Sequence, residues 1–517
     1  MILGFLQKAI ALHQGGNLQQ AAKSYQQIID LSPDHFDATH LLAVVNAQVG
    51  QHVRSRALFV RALALRPGHA EAHFNKGTME RADGKLLAAV ADFSLAIKAV
   101  PDHLGALNNR SLVLQDMQRF EEALLDSDRL TGLAPDDPTF QNNRGTLLHT
   151  MMRLNEALAC FDEAIRLKPD YVEALNNRGN VLKDLHRIDE AMTDYDSAIA
   201  INPDFPSAPF NKSISLLLNG DLAAGWPLWE WRWRQPKLTS PVRDFEEPLW
   251  IGDTDIAGKT ILLHSEQGLG DAVQFARYVP MVTRLGVRVV LEVPESLHPL
   301  LATMKGVDQL IGKHEALPAF DCHCPLMTLP LAFKTTLETV PASTPYLTVS
   351  SSSIEEWSQR LGTSSTRPRV AMAWRGNPNN TNDNNRSARL EDIAPYLAPE
   401  FDWLCLHHDL DKLELLLVKS LPHLSAPLDK ATNLEDAAAI CALSDVVVSV
   451  DTSFAHIAGA LGLKSIVMLP FTPDWRWMLN RTDSPWYPRM TLFRQDKTRD
   501  WSQVMGNVIG ALEKATQ

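Results

Sequence analysis

The chain has 517 residues, a formal net charge of −12 and an apolar content of 45%. Its length predicts about three domains, and its acidic balance argues against a nucleic-acid partner, because phosphate backbones are bound by basic faces. Five scattered cysteines favour a reducing compartment over a disulfide framework.

The N-terminal stretch MILGFLQKAIALHQGG resembles a signal peptide in its apolar character. It lacks a small-residue cleavage site and continues into a helical repeat, so we expect it to be a repeat helix. Apolar runs along the chain fall short of the roughly 18 residues that a membrane span needs. The sequence therefore predicts a cytoplasmic protein without a membrane span, and it leaves oligomerisation open.

A proline recurs every 34 residues in the first part of the chain, at positions 33, 67, 101, 135, 169 and 203. Before most of these prolines, small residues share fixed slots with an aromatic residue, as in Ala157 with Phe161 and Ala191 with Tyr195. Small residues let helices approach closely, and the aromatic ring fills the groove beside them. A fixed period of this length is typical of a stacked repeat array.

The period and the small–aromatic pattern resemble tetratricopeptide repeats over residues 1–236. The resemblance implies an α-helical superhelix of six repeats plus a terminal helix, with the first helix of each repeat lining a concave face. The array ends in GWPLWEWRWR, which places four tryptophans within eight residues, from Trp226 to Trp233. We expect these rings to pack the array onto the next part of the chain; a sugar-stacking platform is the alternative.

A second 34-residue period places an asparagine on the face that the repeats would turn inward. Each is followed by Lys or Arg, and the five are Asn75, Asn109, Asn143, Asn177 and Asn211. An asparagine amide can pair with both the C=O and the N–H of an extended peptide, so a ladder of them would bind a polypeptide backbone. Alternatively, these amides only satisfy neighbouring groups of the repeat. The ladder resembles the one that contacts protein acceptors in O-GlcNAc transferases.

Short apolar runs alternate with helical stretches after Lys259. TILLH and VRVVLEV belong to a first set, and VAMAW at Val370 opens a second set. The alternation predicts two α/β subdomains, over residues 237–350 and 369–517, the second ending in a helix. The stretch SSSIEEWSQRLGTSSTRP, residues 351–368, is predicted to link them.

Three apparent motifs in this half do not satisfy their own requirements. The segment from Gly252 to Thr260 has one residue too many for a Walker loop and precedes a strand, and GLGD at 268–271 has Val273 where a dinucleotide fingerprint needs glycine. Cys322-His323-Cys324 has no second ligand pair nearby in sequence, so we expect no metal site. An ATPase or a dehydrogenase is therefore not favoured.

Asp271 follows a predicted strand and a glycine-rich turn and begins a helix. One interpretation is that it caps that helix. The other is that it acts as a general base, because a carboxylate at the edge of a cleft between two subdomains can accept a proton from a hydroxyl. The sequence leaves both open.

The stretch LSDVVVSVDTSFAHIAGALGLKSIVMLP, residues 443–470, reads as strand, helix and strand. The loop after such a strand lies at the carboxyl edge of the sheet, where the next helix presents unpaired N–H groups. Asp451, Thr452 and Ser453 occupy that loop. They either cap the helix or hold a ligand such as a phosphate.

These features together resemble the heptosyltransferase-like branch of the GT-B glycosyltransferases over about residues 258–500. The resemblance implies two Rossmann-like subdomains that face a cleft, and inverting transfer from a nucleotide-diphosphate sugar without a metal or a cofactor. It implies that Asp271 is the catalytic base. It also implies that Asp451, Thr452, Ser453 and His456 contact the donor.

An asparagine-rich loop follows the first strand of the second subdomain, in WRGNPNNTNDNNRSARL. Arg375, Asn377 and Arg386 are candidate donor ligands, because an arginine can neutralise a diphosphate bidentately. The alternative is a surface loop in which Arg386 pairs with Asp383. Heptosyltransferases present a lysine from this region, and this sequence has none from 370 to 390, which leaves the donor open. Trp475, Arg476 and Trp477 either flank the base or pack in the core.

The sequence therefore predicts a glycosyltransferase that moves a sugar from a nucleotide-diphosphate donor to a Ser or Thr hydroxyl of a polypeptide held by the repeats. One alternative is an inactive scaffold that recruits protein partners. Another is an enzyme that acts on lipid-linked or surface saccharides. The sugar, the nucleotide and the acceptor protein stay open.

Overall fold

The computed structural model describes residues 2–235, 242–362, 367–378, 382–429 and 432–515. The chain forms two compact units, Met1–Asn202 and Pro203–Gln517. The domain boundary expected after residue 236 and part of the 351–368 linker lie outside the described residues, as do residues 379–381 of the asparagine-rich loop.

The first unit consists of twelve helices that pack as consecutive hairpins. Their bounds are α1 Ile2–Gln14, α2 Leu18–Leu31, α3 Phe36–Gln48, α4 His52–Leu65, α5 Ala70–Ala82, α6 Leu86–Ala99, α7 Leu104–Asp116, α8 Phe120–Leu133, α9 Pro138–Thr150, α10 Leu154–Leu167, α11 Val172–Asp184 and α12 Ile188–Ile201. Each of the six recurring prolines follows the second helix of a hairpin. A proline there ends a helix because its ring cannot continue the hydrogen-bond ladder.

The small–aromatic slots predicted from the sequence hold each hairpin together. A Cβ at Gly145 would lie 2.8 Å from the Phe161 ring, and one at Gly179 would lie 2.6 Å from the Tyr195 ring. Both rings are fully buried. Glycine in the first helix therefore admits the aromatic ring of the second, which explains why the two residue types recur together.

The second unit begins with one more helical hairpin, α13 Ser207–Leu218 and α14 Leu222–Trp229, followed by a 3-10 turn over Glu230–Arg234. Trp226 and Trp229 are buried, and the Trp226 indole N–H donates to the carbonyl oxygen of Thr335 over 2.9 Å. The tryptophans thus pack this hairpin onto the α/β part, as expected. The compact units divide at residue 202, ahead of this hairpin, because these rings bury it against the α/β core.

The first lobe, which we define as residues 242–350, contains a four-stranded parallel sheet in the order β3-β2-β1-β4. Its strands are β1 Thr260–His264, β2 Arg288–Val293, β3 Gln309–Gly312 and β4 Cys322–Pro325. Its helices are α15 Leu269–Phe275, α16 Val279–Thr283, α17 His298–Leu301 and α18 Leu329–Ala332. The strands are almost wholly buried, as expected of a parallel sheet covered on both faces.

A helix, α19 Ser351–Leu361, occupies most of the segment expected to be a linker. Trp357 on this helix is fully buried, and its indole N–H donates to Asp436 over 2.7 Å. The first eleven residues of the expected linker are therefore packed structure, because one large apolar side chain attaches them to the second sheet.

The second lobe, residues 367–515, contains a six-stranded parallel sheet in the order β10-β9-β8-β5-β6-β7. Its strands are β5 Arg369–Ala373, β6 Asp402–Cys405, β7 Leu424–Ser425, β8 Val446–Val450, β9 Ser465–Leu469 and β10 Met490–Arg494. Its helices are α20 Asp383–Arg386, α21 Leu390–Ile393, α22 Lys412–Ser420, α23 Leu434–Ala442, α24 Ser453–Ala460 and α25 Trp501–Ala515. This is the strand order of a doubly wound sheet, whose direction reverses between β5 and β8. Ligands of such sheets bind beyond the carboxyl ends of the strands at that point.

Within the described residues, the helices are all too short or too polar to cross a membrane.

Candidate functional site

The candidate site begins at the reversal point of the second sheet, where β5 and β8 end side by side. Arg375 and Gly376 follow β5, and Asp451 to Ser453 follow β8. Arg386 joins the two segments, since its Nη1 donates to the backbone oxygen of Asp451 over 2.9 Å. The loops predicted from two separate stretches of sequence therefore meet at one edge of the sheet.

Thr452 is the N-cap residue of α24, yet its side chain makes no capping hydrogen bond. Its hydroxyl instead lies 3.1 Å from the hydroxyl of Ser449 on β8. The capping alternative therefore does not describe Thr452. The first N–H groups of α24 carry the partial positive charge of a helix N-terminus, which favours an anion.

Asp451 is 8% exposed and lies beside this helix end. Burial raises the pKa of its carboxyl to about 6, and the nearby carboxylate of Asp474 adds to the rise. Arg386 and Arg476 oppose the rise. The pKa of Asp451 is therefore raised above that of an ordinary aspartate, as is often the case for groups in functional sites.

The first lobe meets this edge through the N-terminus of α15. A Cβ at Gly270 would lie 2.8 Å from Cδ2 of His456 and 3.4 Å from Cα of Ser453. The absence of a side chain at Gly270 therefore lets the starts of α15 and α24 approach each other closely. The residues predicted from the two subdomains, Asp271 and Ser453, thus lie near one another.

Asp271 has two firm partners. Its Oδ2 accepts the backbone N–H of Gly268 over 2.7 Å, so it does cap the helix as one interpretation predicted. Its Oδ1 accepts a short hydrogen bond from Nη2 of Arg476 in the second lobe. Burial raises the pKa of Asp271, and Arg476 is the strongest influence that opposes the rise.

His456 is 5% exposed and lies one turn into α24. Its Nδ1 is 2.9 Å from the Tyr487 hydroxyl, and its ring stacks on Trp477 at a centroid distance of 5.4 Å. Burial, then the nearby arginines, lower its pKa well below the usual value. His456 is therefore neutral and acts as a hydrogen-bonding group instead of a cation.

The two arginines expected to face a diphosphate differ in their surroundings. Arg375 donates from Nε to Glu414 over 2.9 Å and from Nη2 to Asp409 over 3.0 Å. Arg386 pairs with Asp383 only through Nε, over 3.3 Å, while Nη1 reaches the Asp451 backbone. Arg375 is therefore committed to acidic neighbours, and Arg386 is the arginine placed at the helix end. Asn377 lies exposed at the start of the asparagine-rich loop.

Sequence reasoning missed Asp474 and Gln274 and left the role of Arg476 undecided. Arg476 donates from Nη1 to Asp474 over 2.8 Å and from Nε to Oε1 of Gln274 over 2.6 Å. Its neighbours Trp475 and Trp477 are core residues. The WRW pattern signals apolar packing, and nothing local in it indicates that the central arginine reaches a carboxylate in the other lobe. We call Asp271, Arg386, Asp451, Asp474 and Arg476 the interlobe cluster.

The asparagine ladder makes lateral hydrogen bonds within the first unit. The Nδ2 of Asn143 donates to Oδ1 of Asn108, and that of Asn177 donates to Oδ1 of Asn142, both over 3.1 Å. The Nδ2 of Asn75 lies 3.1 Å from Nε2 of His40. The ladder members, including Asn109 and Asn211, are half-buried. The lateral bonds of Asn143 and Asn177 each use one of the two amide hydrogens. The Nδ2 of Asn75 also donates to Oε1 of Glu71 over 3.4 Å.

The Cys322-His323-Cys324 stretch forms strand β4. Both cysteines are buried, and His323 Nδ1 lies 3.3 Å from Nε2 of His264 on the neighbouring strand. In the part of the chain that the structure describes, no group of three or more His, Cys, Asp or Glu side chains is placed to hold a metal ion.

Three family models match residues of the repeats. Residues 172–205 match a tetratricopeptide repeat, residues 153–186 a TPR repeat, and residues 6–67 and 48–103 a further tetratricopeptide repeat. The first part of the chain therefore contains tetratricopeptide repeats, as the 34-residue period predicted.

One curated relative is Protein FlbA of Caulobacter vibrioides, 25% identical over 326 residues, which is 59% of this chain and 54% of that protein. This chain therefore spans about half the length of that relative. Among solved structures, YrrB, a TPR protein with an unusual peptide-binding site, is 22% identical, covers 36% of this chain and 96% of its own, and has a TM-score of 0.33. A tetratricopeptide repeat protein from Parabacteroides merdae is 15% identical, covers 44% of this chain and 91% of its own, and has a TM-score of 0.38.

Proposed function

We propose that this chain is an inverting, metal-independent glycosyltransferase with a GT-B arrangement of its two lobes. The proposal rests on one observation, which is the close approach of the α24 N-terminus in the second lobe to the start of α15, with Asp271, in the first. One side of such a site offers N–H groups to an anion, and the other offers a carboxylate to a hydroxyl.

The donor in this proposal is a nucleotide-diphosphate sugar. Its diphosphate would bind the N–H groups of α24, the hydroxyls of Thr452 and Ser453, and the guanidinium of Arg386. These groups stabilise the charge that develops on the leaving diphosphate, so the mechanism does not require a cation. The reversal point of the second sheet supports this position for a nucleotide.

The reaction is a single displacement. The acceptor oxygen forms a bond to the anomeric carbon as the bond from that carbon to the diphosphate oxygen breaks. The acceptor proton passes to the Asp271 carboxylate, and the nucleoside diphosphate leaves. His456, neutral and hydrogen-bonded, can orient the donor without adding charge.

The acceptor in this proposal is a Ser or Thr hydroxyl of a polypeptide bound along the asparagine ladder. Each hydrogen bond to a peptide contributes only about 0.5–1.5 kcal/mol, so binding along the ladder would be loose in specificity. Replacing Asn109, Asn143 and Asn177 with Ala tests this part. Loss of protein glycosylation with donor hydrolysis unchanged supports the ladder, whereas unchanged protein glycosylation contradicts it and favours a lipid-linked or surface saccharide acceptor.

The decisive experiment measures thermal unfolding of the full chain against a panel of nucleotide-diphosphate sugars, followed by release of nucleoside diphosphate. A donor at 100 times its Kd should stabilise the fold by about 2.7 kcal/mol. Thr452→Val should remove that stabilisation. Thr193→Val in the repeats is the matched control and should leave it unchanged. If no nucleotide sugar binds, the proposal fails; binding without release, in the presence or absence of acceptor, favours the inactive scaffold.

A further inference from the structure

Arg476 is nearly buried, with 8% of its side chain exposed, and its three guanidinium nitrogens each donate to a side-chain acceptor. Nε donates to Gln274, Nη1 to Asp474 and Nη2 to Asp271. The guanidinium also lies over the Trp475 ring, 4.3 Å from its centroid. A planar guanidinium that makes three hydrogen bonds and stacks on an aromatic ring is fixed in one orientation.

Two of those three hydrogen bonds cross from the second lobe to α15 of the first lobe. Asp271 and Gln274 are three residues apart on that helix, so they share a face. Gln274 is fully buried, its Oε1 faces Arg476, and its Nε2 has no hydrogen-bond partner among the described residues. The amide therefore presents its acceptor to Arg476 even though its own donor gains no partner.

The Asp271 carboxylate is thereby fixed from two sides. Arg476 takes one lone pair of Oδ1, and the Gly268 N–H takes one lone pair of Oδ2. Each oxygen keeps a second lone pair that can accept a proton. A base held in this way does not need to reorient during the reaction.

We infer that Arg476 is a positioning residue for Asp271, which from the opposite lobe holds the carboxylate in the orientation that accepts the acceptor proton. This role rests on the proposed glycosyltransferase activity. Arg476 acts through Asp271, because its Nη2 donates to that carboxylate and only 8% of its side chain is exposed.

Other charged groups face Asp271 as well. Asp474 raises the pKa of Asp271, Arg386 lowers it, and Asp271 in turn raises the pKa of the buried Glu266. Arg476 is the strongest of the groups that lower the pKa of Asp271. Without the guanidinium, the pKa of Asp271 should rise further. As the pH falls, the Asp271 carboxylate should then become protonated at a higher pH than in the wild type.

The first test needs no turnover. Thermal midpoints of the full-length wild type, Asp271→Asn, Arg476→Gln and the double variant are compared from pH 4 to pH 7. We expect non-additive effects at pH 7 that become additive in acid, because only the ionised carboxylate attracts the guanidinium. Additive effects at every pH would overturn the inference. If Arg476→Gln does not fold, the same cycle is measured with Arg476→Met, which removes the charge and keeps an unbranched side chain.

The second test uses turnover. Arg476→Gln should lower kcat by about 100-fold, the typical cost of a misplaced reacting group, with the donor KM changed by only a few-fold. The acid limb of the rate profile should move to higher pH, and Arg476→Lys should recover part of kcat. An unchanged kcat and acid limb would contradict the inference.

A matched control separates this role from packing. Arg494 supports the same segment by donating to the backbone oxygens of Trp477 and Met478, and within the described part of the chain it makes no hydrogen bond to Asp271. Arg494→Gln should change the thermal midpoint without altering the coupling between Asp271 and Arg476. If wild type transfers no sugar from any donor, the proposed function fails, while the coupling measured in the first test still stands or falls by itself.

Discussion

The repeat unit and the interlobe cluster use the same charged side chains in different ways. In the repeats, a cation of the first helix pairs with an aspartate 16 residues later, as in Arg110 with Asp126 and Arg178 with Asp194. Each pair joins the two helices of one hairpin, and Arg178 also pairs with Asp162 of the preceding hairpin over 2.8 Å. In the interlobe cluster, three aspartates and two arginines from distant segments converge, and this arrangement does not follow the 34-residue period.

This difference distinguishes charged residues that stabilise the fold from charged residues that can take part in a reaction. A pair that recurs with the repeat stabilises each hairpin in the same way, and removing it should affect folding alone. A cluster that lies outside the repeat and carries a carboxyl with a raised pKa has the features of a functional site. Four predictions, in decreasing order of effect, test that distinction.

The largest effect should come from Asp271→Asn, which keeps the shape of the side chain but removes the base. We expect transfer to fall about 1,000-fold, within the usual contribution of a general base, with donor affinity within a few-fold of wild type. Released nucleoside diphosphate measures turnover, and calorimetry measures donor binding. Retained turnover would remove Asp271 from the mechanism.

The second effect concerns pH. Because the folded pKa of Asp451 is raised to about 6 from the usual 3.8, its contribution to stability is present below the unfolded pKa and is lost as pH rises. The loss should reach about 3 kcal/mol between pH 4 and pH 6. Urea unfolding across this range should show the slope, and Asp451→Asn should reduce it by the share that Asp451 contributes. The buried Glu266, whose pKa burial raises to about 7, should keep a slope of the same sign in the variant. An equal slope in the variant would place the titrating group elsewhere.

The third effect is the structural counterpart of the first. Asp194→Asn in the repeats breaks the two-bond pair with Arg178, in which the hydrogen bonds measure 2.8 and 2.6 Å. Stability should fall by about 2 kcal/mol, as for hydrogen bonds to a charged group, while turnover per folded molecule stays at the wild-type level. Hydrogen exchange of α11 and α12 would locate the loss. A drop in turnover without unfolding would contradict the local role of this pair.

The smallest effect concerns Cys160, which departs from the pattern of ion pairs in the repeats. Cys160 occupies the slot that holds Asp126 one repeat earlier and Asp194 one repeat later, and its sulfur lies 2.9 Å from Nη1 of Arg144. Burial raises the pKa of the thiol, so it stays neutral, and Arg144 pairs with Asp128 over 2.7 Å instead. Cys160→Asp should stabilise the unit by about 0.5–1 kcal/mol. Cys160→Ser, which adds no charge, is the control and should not stabilise it.

Much of the fold could be read from local patterns. The 34-residue period and the small–aromatic slots predicted the helical hairpins, because those side chains contact their own hairpin. The apolar run before Asp451 predicted β8 and α24 for the same reason. The segment from Ser351 was expected to link the lobes, and its first eleven residues form a helix. Trp357 on this helix donates to Asp436, a contact that no local pattern indicates.

Only part of the candidate site could be predicted from the sequence. Asp271 and Thr452 could be found because each follows a buried strand, which fixes its place at a sheet edge. Arg375 and Arg386 were both candidates for the diphosphate, and Arg375 pairs with Glu414 and Asp409. These ion pairs of Arg375 depend on how α22 packs, which cannot be predicted from the spacing of residues along the chain.

The sequence by itself determined the repeats, the two sets of parallel strands and the turns that carry Asp271 and Asp451, because each depends on side chains a few residues apart. Only the tertiary structure decided that Arg476 pairs with Asp271, a residue 205 positions away. Such a pairing depends on how two lobes pack, and a guanidinium in a WRW turn has the same local chemistry whether it meets solvent, the core or a carboxylate across the site.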